Sequence, residues 1–346
     1  MLASVGGARD GNQLVLWSMA EGKSEAFQPA SDQADEECMD LAFFNNNPNR
    51  LVTVHQNSVK IWTFDNKSKK MTHYNCALGK LKRFITCVSI DPIDEHAFCG
   101  TRSGDILEIS LTKGIYQRSG PIDKKFKGSI HQVVSKFKNL YCGTSEGFFA
   151  KIDKKTMQIT GEISYNDNSQ ITSLAASEGK VYNVSSRSVV RSVYDNASIQ
   201  QSQQFMSGHF DTINNMVFPK SFGGVFASCS QDEIRLWSPS TQKELLKIEL
   251  NPGTLNDFAK SNCVDFMSDG KSLVSGWTDG KIRAFLPQSG KLFWIINDAH
   301  KPGDKTFGGV TCLCSTTDCD NVISGGSDGE VRLWNIGKQT KKLQSA

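Results

Sequence analysis

The sequence repeats one phrase of about fourteen residues, and its clearest copy is VISGGSDGEVRLWN at residues 322–335. The phrase opens with alternating apolar and small residues, which is typical of a half-buried strand. Ser327, Asp328 and Gly329 then form a turn cluster, because glycine accepts positive φ and aspartate can hydrogen-bond its own backbone. Residues 331–334 alternate again and suit a pleated sheet. The phrase therefore predicts a β-hairpin, which alone buries too little to be stable in water and must stack on other elements.

Eight copies of this phrase occur along the 346 residues. They are LASVGGARDGNQLVLW at 2–17, LVTVHQNSVKIW at 51–62, AFCGTRSGDILEI at 97–109, LYCGTSEGFFAKI at 140–152, VYNVSSRSVVRSV at 181–193, FASCSQDEIRLW at 226–237, LVSGWTDGKIRAF at 273–285 and VISGGSDGEVRLW at 322–334. The small or polar residue in the first strand is Ser4, Thr53, Cys99, Cys142, Asn183, Ser228, Ser275 and Ser324, with successive spacings of 41 to 49 residues. A period in the forties with strand signals in each unit is typical of propeller blades.

Further strand candidates flank the phrase. One precedes every copy from the second onward, at residues 38–44, 84–90, 130–137, 171–176, 213–218, 263–267 and 310–315, and β-type runs follow it, as at 244–250 and 291–296. Four short antiparallel strands per unit form the blade of a β-propeller. We therefore predict an all-β fold of eight repeats, at about 1–35, 36–80, 81–122, 123–166, 167–207, 208–256, 257–300 and 301–346.

The motifs Gly208-His209, Ser-x-Asp in the turn and Arg-Leu-Trp at the strand end resemble WD40 repeats. The resemblance implies a WD40-type β-propeller built of four-stranded antiparallel blades, with a buried hydrogen-bonded set in each complete repeat. That set maps to His209, Ser228, Asp232 and Trp237 in the sixth repeat, and to His300, Ser324, Asp328 and Trp334 in the eighth. Its physical logic is that buried polar groups must be paired.

The third to fifth repeats depart from this pattern. They carry Ile109, Ile152 and Val193 where tryptophan would stand, and we interpret them as lacking the turn aspartate. From this departure we expect their blades to rely on apolar packing alone.

Longer stretches resemble the cilia- and flagella-associated protein 52 family of WD40 proteins. They are FCGTRSGDILEIS, SGHFDTINNMVFP, VDFMSDGKSLVSGWTDGKIRAF and STTDCDNVISGGSDGEVRLWNIGKQTKKL, so the second half matches more densely than the first. The resemblance implies two tandem seven-bladed propellers inside the axonemal doublet microtubule, bound to tubulin and other inner proteins. Judged against that family, the chain is a middle segment of about eight repeats, and the division between propellers falls near residues 201–211.

Two arrangements of the repeats remain open at this stage. Propellers avoid exposed strand edges by closing on themselves. The eight repeats could close as one ring, in which residues 1–17 complete a blade beside the C-terminal strands. They could instead form two open arcs, whose exposed edges tend to pair with another chain.

Composition restricts the class of protein. The apolar content of 38% and charged content of 22% are those of a soluble globular chain, and no apolar run approaches the roughly 18 residues of a membrane span. The ten cysteines show no spaced framework, and the first residues do not resemble a secretory signal, so a cytoplasmic location is expected. A net charge of +3 is too small to argue for nucleic acid.

The sequence contains no catalytic, cofactor or metal motif that we can assign. Phosphate-binding and nucleophile-elbow motifs do not occur. Cys312, Cys314 and Cys319 near His300 superficially resemble a zinc set, but their spacing is unusual and residues 310–315 read as a strand. His209 and His300 could serve as general bases, yet they and the turn acids Asp232, Asp279 and Asp328 recur with the repeat, which favours a structural role.

Basic clusters occur at residues 67–70, 80–83, 124–127 and 338–342. Such runs usually form solvated turns, and the functional alternative is contact with an acidic partner such as tubulin. We therefore predict a non-enzymatic scaffold without cofactor, placed in the cytoplasm at the ciliary or flagellar axoneme and bound to protein partners, not to nucleic acid or membrane. The alternatives are a general WD40 adaptor that binds peptides at the top of the propeller channel, and an enzyme on a propeller fold.

Overall fold

The computed structural model describes residues 1–7, 10–31, 36–165, 169–177, 179–195, 199, 201–220, 222–231, 233–250, 259–301 and 308–336. The chain divides into two compact units, Met1–Met206 and Ser207–Ala346. Every regular element of the described residues is a β-strand, and all the sheets are antiparallel. No helix of the described chain has the length and apolarity needed to cross a membrane. The predicted all-β fold of WD40-type propeller blades is confirmed.

The first unit contains five sheets in chain order. Their strands are β1 (Leu2–Val5), β2 (Gln13–Ser18) and β3 (Lys23–Pro29); β4 (Cys38–Phe43), β5 (Arg50–His55), β6 (Val59–Asp65) and β7 (Lys70–Asn75); β8 (Ile85–Ile90), β9 (His96–Thr101), β10 (Ile106–Ser110) and β11 (Ile115–Gly120); β12 (Ile130–Lys136), β13 (Asn139–Thr144), β14 (Phe148–Asp153) and β15 (Ile159–Ser164); and β16 (Ile171–Ser177), β17 (Lys180–Ser185), β18 (Val189–Tyr194) and β19 (Ser202–Ser207). Each sheet is a simple meander, because every strand pairs with the next one in sequence.

The second unit contains three sheets of the same kind. Their strands are β20 (Asn215–Val217), β21 (Phe226–Cys229), β22 (Glu233–Ser238) and β23 (Lys243–Glu249); β24 (Ser261–Phe266), β25 (Leu273–Trp277), β26 (Ile282–Phe285) and β27 (Leu292–Ile296); and β28 (Val310–Ser315), β29 (Asn321–Gly326) and β30 (Val331–Asn335). The strands predicted before each copy of the phrase all form, with bounds shifted by at most two residues. In the first sheet β1 pairs with β2 and β2 pairs with β3, and these pairings leave the closed ring and the two open arcs both as predictions.

The sheets stack through the first strand of each meander. In the first unit β4, β8, β12 and β16 lie side by side, and in the second unit β20, β24 and β28 do so. The alternation along the strands then places apolar side chains between neighbouring sheets. Leu14 and Leu16 of the first sheet pack with Trp62 and Phe64 of the second, and the same layering recurs along each unit.

A glycine in the second strand of three blades sets how closely the next blade approaches. A Cβ at Gly100 would lie 2.8 Å from Ile130 Cγ2, one at Gly143 would lie 2.3 Å from Ile171 Cγ2, and one at Gly276 would lie 2.5 Å from Val310 Cγ1. Each contacted residue opens the first strand of the following sheet. The missing side chain therefore makes room for the next blade.

We predict that Gly143→Ala lowers the free energy of unfolding by about 1–3 kcal/mol, because its methyl group overpacks the contact with Ile171. Urea denaturation of the full chain measures the change. Gly7→Ala is the matched control, since a Cβ there meets no heavy atom within 4 Å. Equal stability of the two variants would contradict the proposed role of Gly143.

Candidate functional site

Five of the six tryptophans donate their indole N–H to a serine or threonine hydroxyl of the same sheet. The hydroxyl lies in the second strand of the four-stranded sheets and of the last sheet, and in β1 of the first sheet, which has three strands. The pairs are Trp17 Nε1 to Ser4 at 2.8 Å, Trp62 to Thr53 at 2.8 Å, Trp237 to Ser228 at 2.7 Å, Trp277 to Ser275 at 2.7 Å and Trp334 to Ser324 at 2.8 Å. Each of these indole N–H groups is satisfied by an acceptor on its own sheet. This bond is the feature that the repeats with tryptophan share.

The eighth repeat extends this bond into a chain of four groups. Ser324 Oγ accepts the N–H of Trp334 and lies 2.8 Å from His300 Nε2. His300 Nδ1 lies 3.0 Å from Asp328 Oδ1, and the acceptor-only carboxylate requires the ring hydrogen to be on Nδ1. His300 is 2% exposed. The predicted set of His300, Ser324, Asp328 and Trp334 thus lies together.

Burial alone would raise the pKa of Asp328. Hydrogen bonds from His300 and from the backbone N–H groups of Lys301 and Glu330 outweigh burial and lower that pKa to about 2. The carboxylate is therefore ionised at neutral pH and is already fully engaged. It has the properties of a structural acceptor.

In the sixth repeat Glu233 contacts the histidine. His209 Nε2 lies 2.6 Å from Ser228 Oγ, and His209 Nδ1 lies 2.7 Å from Glu233 Oε1. Asp232, which the resemblance placed here, lies outside the described residues. Glu233 is fully buried and also accepts from Arg235 Nε at 2.8 Å and from Lys247 Nζ at 3.1 Å.

The turn length explains the position of Glu233. The backbone bond that closes the turn runs from Ser230 N to Glu233 O in the sixth repeat, and from Gly326 N to Glu330 O in the eighth. Glu233 is therefore the counterpart of Glu330, four residues before the tryptophan, in a turn that is one residue shorter. The spacing of four residues to the tryptophan is visible in the sequence, whereas the WD40 pattern predicts an aspartate as the partner of the histidine. Burial tends to raise the pKa of Glu233, while hydrogen bonds from His209, Arg235 and Lys247 outweigh it and lower the pKa to about 2.

In the second and seventh repeats, the side chain that bonds the strand hydroxyl comes from the same strand as that hydroxyl. His55 Nε2 lies 3.0 Å from Thr53 Oγ1, and Trp277 bonds Ser275, each from two residues further along the same strand. Gly326 holds that position in the eighth repeat, where a Cβ would lie 2.0 Å from His300 Nδ1. A histidine from the preceding loop and a large side chain at this position therefore occupy the same space. Burial lowers the pKa of His55 to about 4, so this ring is neutral at pH 7.

The expectation that the third to fifth repeats rely on apolar packing alone is wrong for two of them. The third repeat does not lack a turn aspartate, because Asp105 lies in the turn between β9 and β10, is 2% exposed and accepts hydrogen bonds from Thr101 and Ser103. In the fifth repeat Asn183 Nδ2 donates to the hydroxyl of Tyr165 at 2.9 Å. Buried polar side chains need partners whether or not tryptophan is present, so these blades form other pairs.

Asp279, the remaining predicted turn acid, forms a two-point ion pair with Arg283. Arg283 Nη2 lies 2.6 Å from Asp279 Oδ2 and Nη1 lies 3.1 Å from Oδ1. Arg283 is fully buried, and a buried guanidinium requires such an acceptor. Like Asp328, Asp279 serves the blade that contains it.

The cysteines do not form a reactive set in the part of the chain that the structure describes. Burial raises the pKa of Cys87 to about 12 and that of Cys76 to about 11, so these thiols stay protonated and are poor nucleophiles. Cys312 and Cys314 are exposed on β28. The described residues contain no group of three or more histidine, cysteine or acidic side chains that could hold a metal ion.

The basic clusters are partly engaged in ion pairs. Lys69 pairs with Glu25, Arg83 and Lys125 pair with Asp105, and Lys124 pairs with Glu162. Residues 338–342 lie outside the described residues. The other described lysines of these clusters are exposed and form no ion pair among the described residues; they are Lys67, Lys70, Lys80, Lys82 and Lys127.

We predict that Ser324→Ala lowers the free energy of unfolding by about 1–3 kcal/mol, because the Trp334 N–H and His300 Nε2 both lose their partner. Chemical denaturation followed by tryptophan fluorescence measures this change. Ser289→Ala, at an exposed turn serine, is the control and should change stability by less than about 0.5 kcal/mol. A neutral effect of Ser324→Ala would show that the bond contributes nothing.

We also predict a pH dependence that belongs to Glu233. Its folded pKa of about 2 lies below the ordinary value of 4.5, so the unfolded chain takes up the proton first. The ionised carboxylate therefore stabilises the fold fully above pH 4.5, and this contribution is lost as the pH falls from 4.5 towards 2. The stability difference between the parent chain and Glu233→Gln should shrink over that window by up to about 3 kcal/mol.

Urea unfolding at a series of pH values measures the difference. Glu249→Gln is the control, because this carboxylate also contacts Lys247 but is exposed. A difference between parent and Glu233→Gln that stays constant with pH would rule out the ionised, buried carboxylate.

Comparison with known proteins identifies the repeat. The family model described as WD domain, G-beta repeat matches residues 299–335, which contain the eighth hydrogen-bonded set. The chain is 32% identical over 355 aligned positions to the human protein named cilia- and flagella-associated protein 52, and 34% identical over 353 to the Chlamydomonas reinhardtii protein of the same name. Both alignments cover 100% of this chain, and 53% and 54% of the relatives. The chain thus spans about half the length of the curated relatives that it matches; it contains a WD40 repeat at residues 299–335 and is similar over its whole length to proteins named cilia- and flagella-associated protein 52.

Proposed function

We propose that this chain is a non-enzymatic WD40 scaffold of cilia or flagella, which binds tubulin and neighbouring proteins of the axonemal doublet microtubule. The observation that carries the proposal is the similarity of the whole chain, at 32% identity, to a protein whose name associates it with cilia and flagella. On this proposal the protein acts in the cytoplasm at the axoneme and works by surface contact.

The use of the polar side chains supports a scaffold. The groups that resemble a catalytic set, His300 with Asp328 and His209 with Glu233, are buried and bonded within one blade. A general base must reach a substrate proton, and these rings already use both nitrogens. Such groups hold the blades rigid, which is what a protein needs to keep its partners in register.

The loops at the blade ends are the surfaces left for partners. The strands of each meander are short and paired, so the turns between them are fixed by the sheets that they join. Several of these turns carry lysine and arginine, whereas tubulin is strongly acidic. Charge complementarity of this kind favours fast association that weakens with salt.

The proposal is tested by the location of the tagged protein in ciliated cells. We expect the signal along axonemes, and co-sedimentation of the purified chain with doublet microtubules that decreases as salt is raised. The destabilised variant Ser324→Ala serves as a control, because it shows how much co-sedimentation is lost when the fold is weakened without a change in surface charge. Exclusion from cilia would contradict the proposal. Peptide binding that depends on the loops at the top of the channel, without axonemal location, would favour the general adaptor.

A further inference from the structure

Two basic segments that are far apart in sequence meet in the first unit. Residues 80–83 lead into β8, and residues 124–127 lead into β12. Arg83 Nε lies 3.0 Å from Asp105 Oδ2, and Lys125 Nζ lies 3.1 Å from the same oxygen. Asp105 sits in the β9–β10 turn between them, so one buried carboxylate fixes both segments at the same end of neighbouring blades.

The backbone holds this arrangement tightly. Phe126 N donates to Gly104 O at 3.1 Å, and Arg102 N donates to Phe84 O at 2.8 Å. A Cβ at Gly104 would lie 2.2 Å from Phe126 O, so the second segment lies directly against the turn. Phe126 itself is buried in the apolar cluster between the third and fourth blades. The lysines on either side of Phe126 are therefore presented by an anchored loop.

The surface formed in this way carries excess positive charge. We name the basic ledge as Lys80, Lys82, Arg83, Arg102, Lys125 and Lys127. Asp105 neutralises part of the charge of Arg83 and Lys125, and Lys124 beside them pairs with Glu162. None of the described carboxylates pairs with Lys80, Lys82, Arg102 or Lys127, and all four are exposed. Asp123 precedes Lys124 in the chain, and Glu146 lies beside Gly128, where a Cβ would be 2.8 Å from its Cγ.

We propose that the basic ledge binds an extended acidic segment of a partner protein. Carboxylates on one side of an extended chain recur every second residue, at about 7 Å, and so can meet successive lysines along the two loops. A nucleic-acid strand is less suited to this surface, since single-strand sites stack bases on exposed aromatic rings. Phe126 is buried and Phe84 lies under Arg102, at 5.6 Å from its guanidinium carbon.

This inference deepens the proposed function and rests on it for the identity of the partner, but the chemistry of the ledge can be tested separately. The probe is a fluorescent poly-glutamate peptide of about twelve residues, with a glutamine peptide of equal length for comparison. Fluorescence anisotropy with the full chain measures Kd at about 0.05 to 0.2 M salt. We expect binding of the glutamate peptide only, weakening as salt rises.

The test variant is Lys80→Gln/Lys82→Gln/Lys127→Gln, which removes three charges that form no ion pair among the described residues. The matched control is Lys67→Gln/Lys70→Gln/Lys113→Gln, which removes three exposed charges from the β6–β7 and β10–β11 turns, at the other end of the blades. We expect the test variant to bind about tenfold more weakly with a smaller salt dependence, and the control to change by less than about twofold.

Equal losses in the two variants, or equal binding of the glutamine peptide, would overturn the inference. Displacement of the peptide by a single-stranded oligonucleotide at lower concentration than by unlabelled poly-glutamate would overturn it in favour of nucleic acid. Axonemal location with no peptide binding would refute the ledge alone. Peptide binding without axonemal location would refute the proposed function and leave the ledge standing.

Discussion

The blades that contain tryptophan depend on the bond from its indole N–H to a serine or threonine hydroxyl inside the sheet. An indole is the largest side chain in these sheets, and its N–H would be left unpaired if the sheet were wholly apolar. A hydroxyl accepts it over 2.7 to 2.8 Å in five repeats, from the neighbouring strand in four of them and from the same strand in the seventh. The hydroxyl can donate in turn, which explains why a histidine lies beyond it in the second, sixth and eighth repeats.

The repeats keep this requirement and vary the residues that meet it. His300 comes from the loop before the first strand, while His55 comes from the strand itself. The exchange is reciprocal, because a side chain at the Gly326 position would fill the space of the His300 ring. Glu233 replaces an aspartate by combining a longer side chain with a shorter turn. Blades without tryptophan bury other pairs, so divergence in motif does not mean an apolar blade.

Polar side chains have different roles inside the blades and at the blade ends. Histidines and acids that would be candidates for chemistry in another fold are occupied within single blades, and the turns carry the remaining charge. The Asp105 carboxylate belongs to both regions, since it is buried yet gathers Arg83 and Lys125 from two loops. A buried carboxylate thus positions a charged surface at one end of two neighbouring blades.

The sequence alone determined the repeat and the four-strand meander, which follow from the two-residue period of strands and from turn chemistry, local properties that one chain segment contains in full. The residues of the eighth set were implied by the resemblance to WD40 repeats. Only the tertiary structure decided that Glu233 contacts His209, that Trp277 and His55 replace partners from elsewhere, and that the segments at 80–83 and 124–127 meet at Asp105. The pairing of Glu233 with His209 and the meeting at Asp105 join residues that are distant in sequence, and they depend on turn length and on how closely one blade approaches the next. His55 and Trp277 lie two residues from their hydroxyl partners, and their pairing depends on the space left at that strand position.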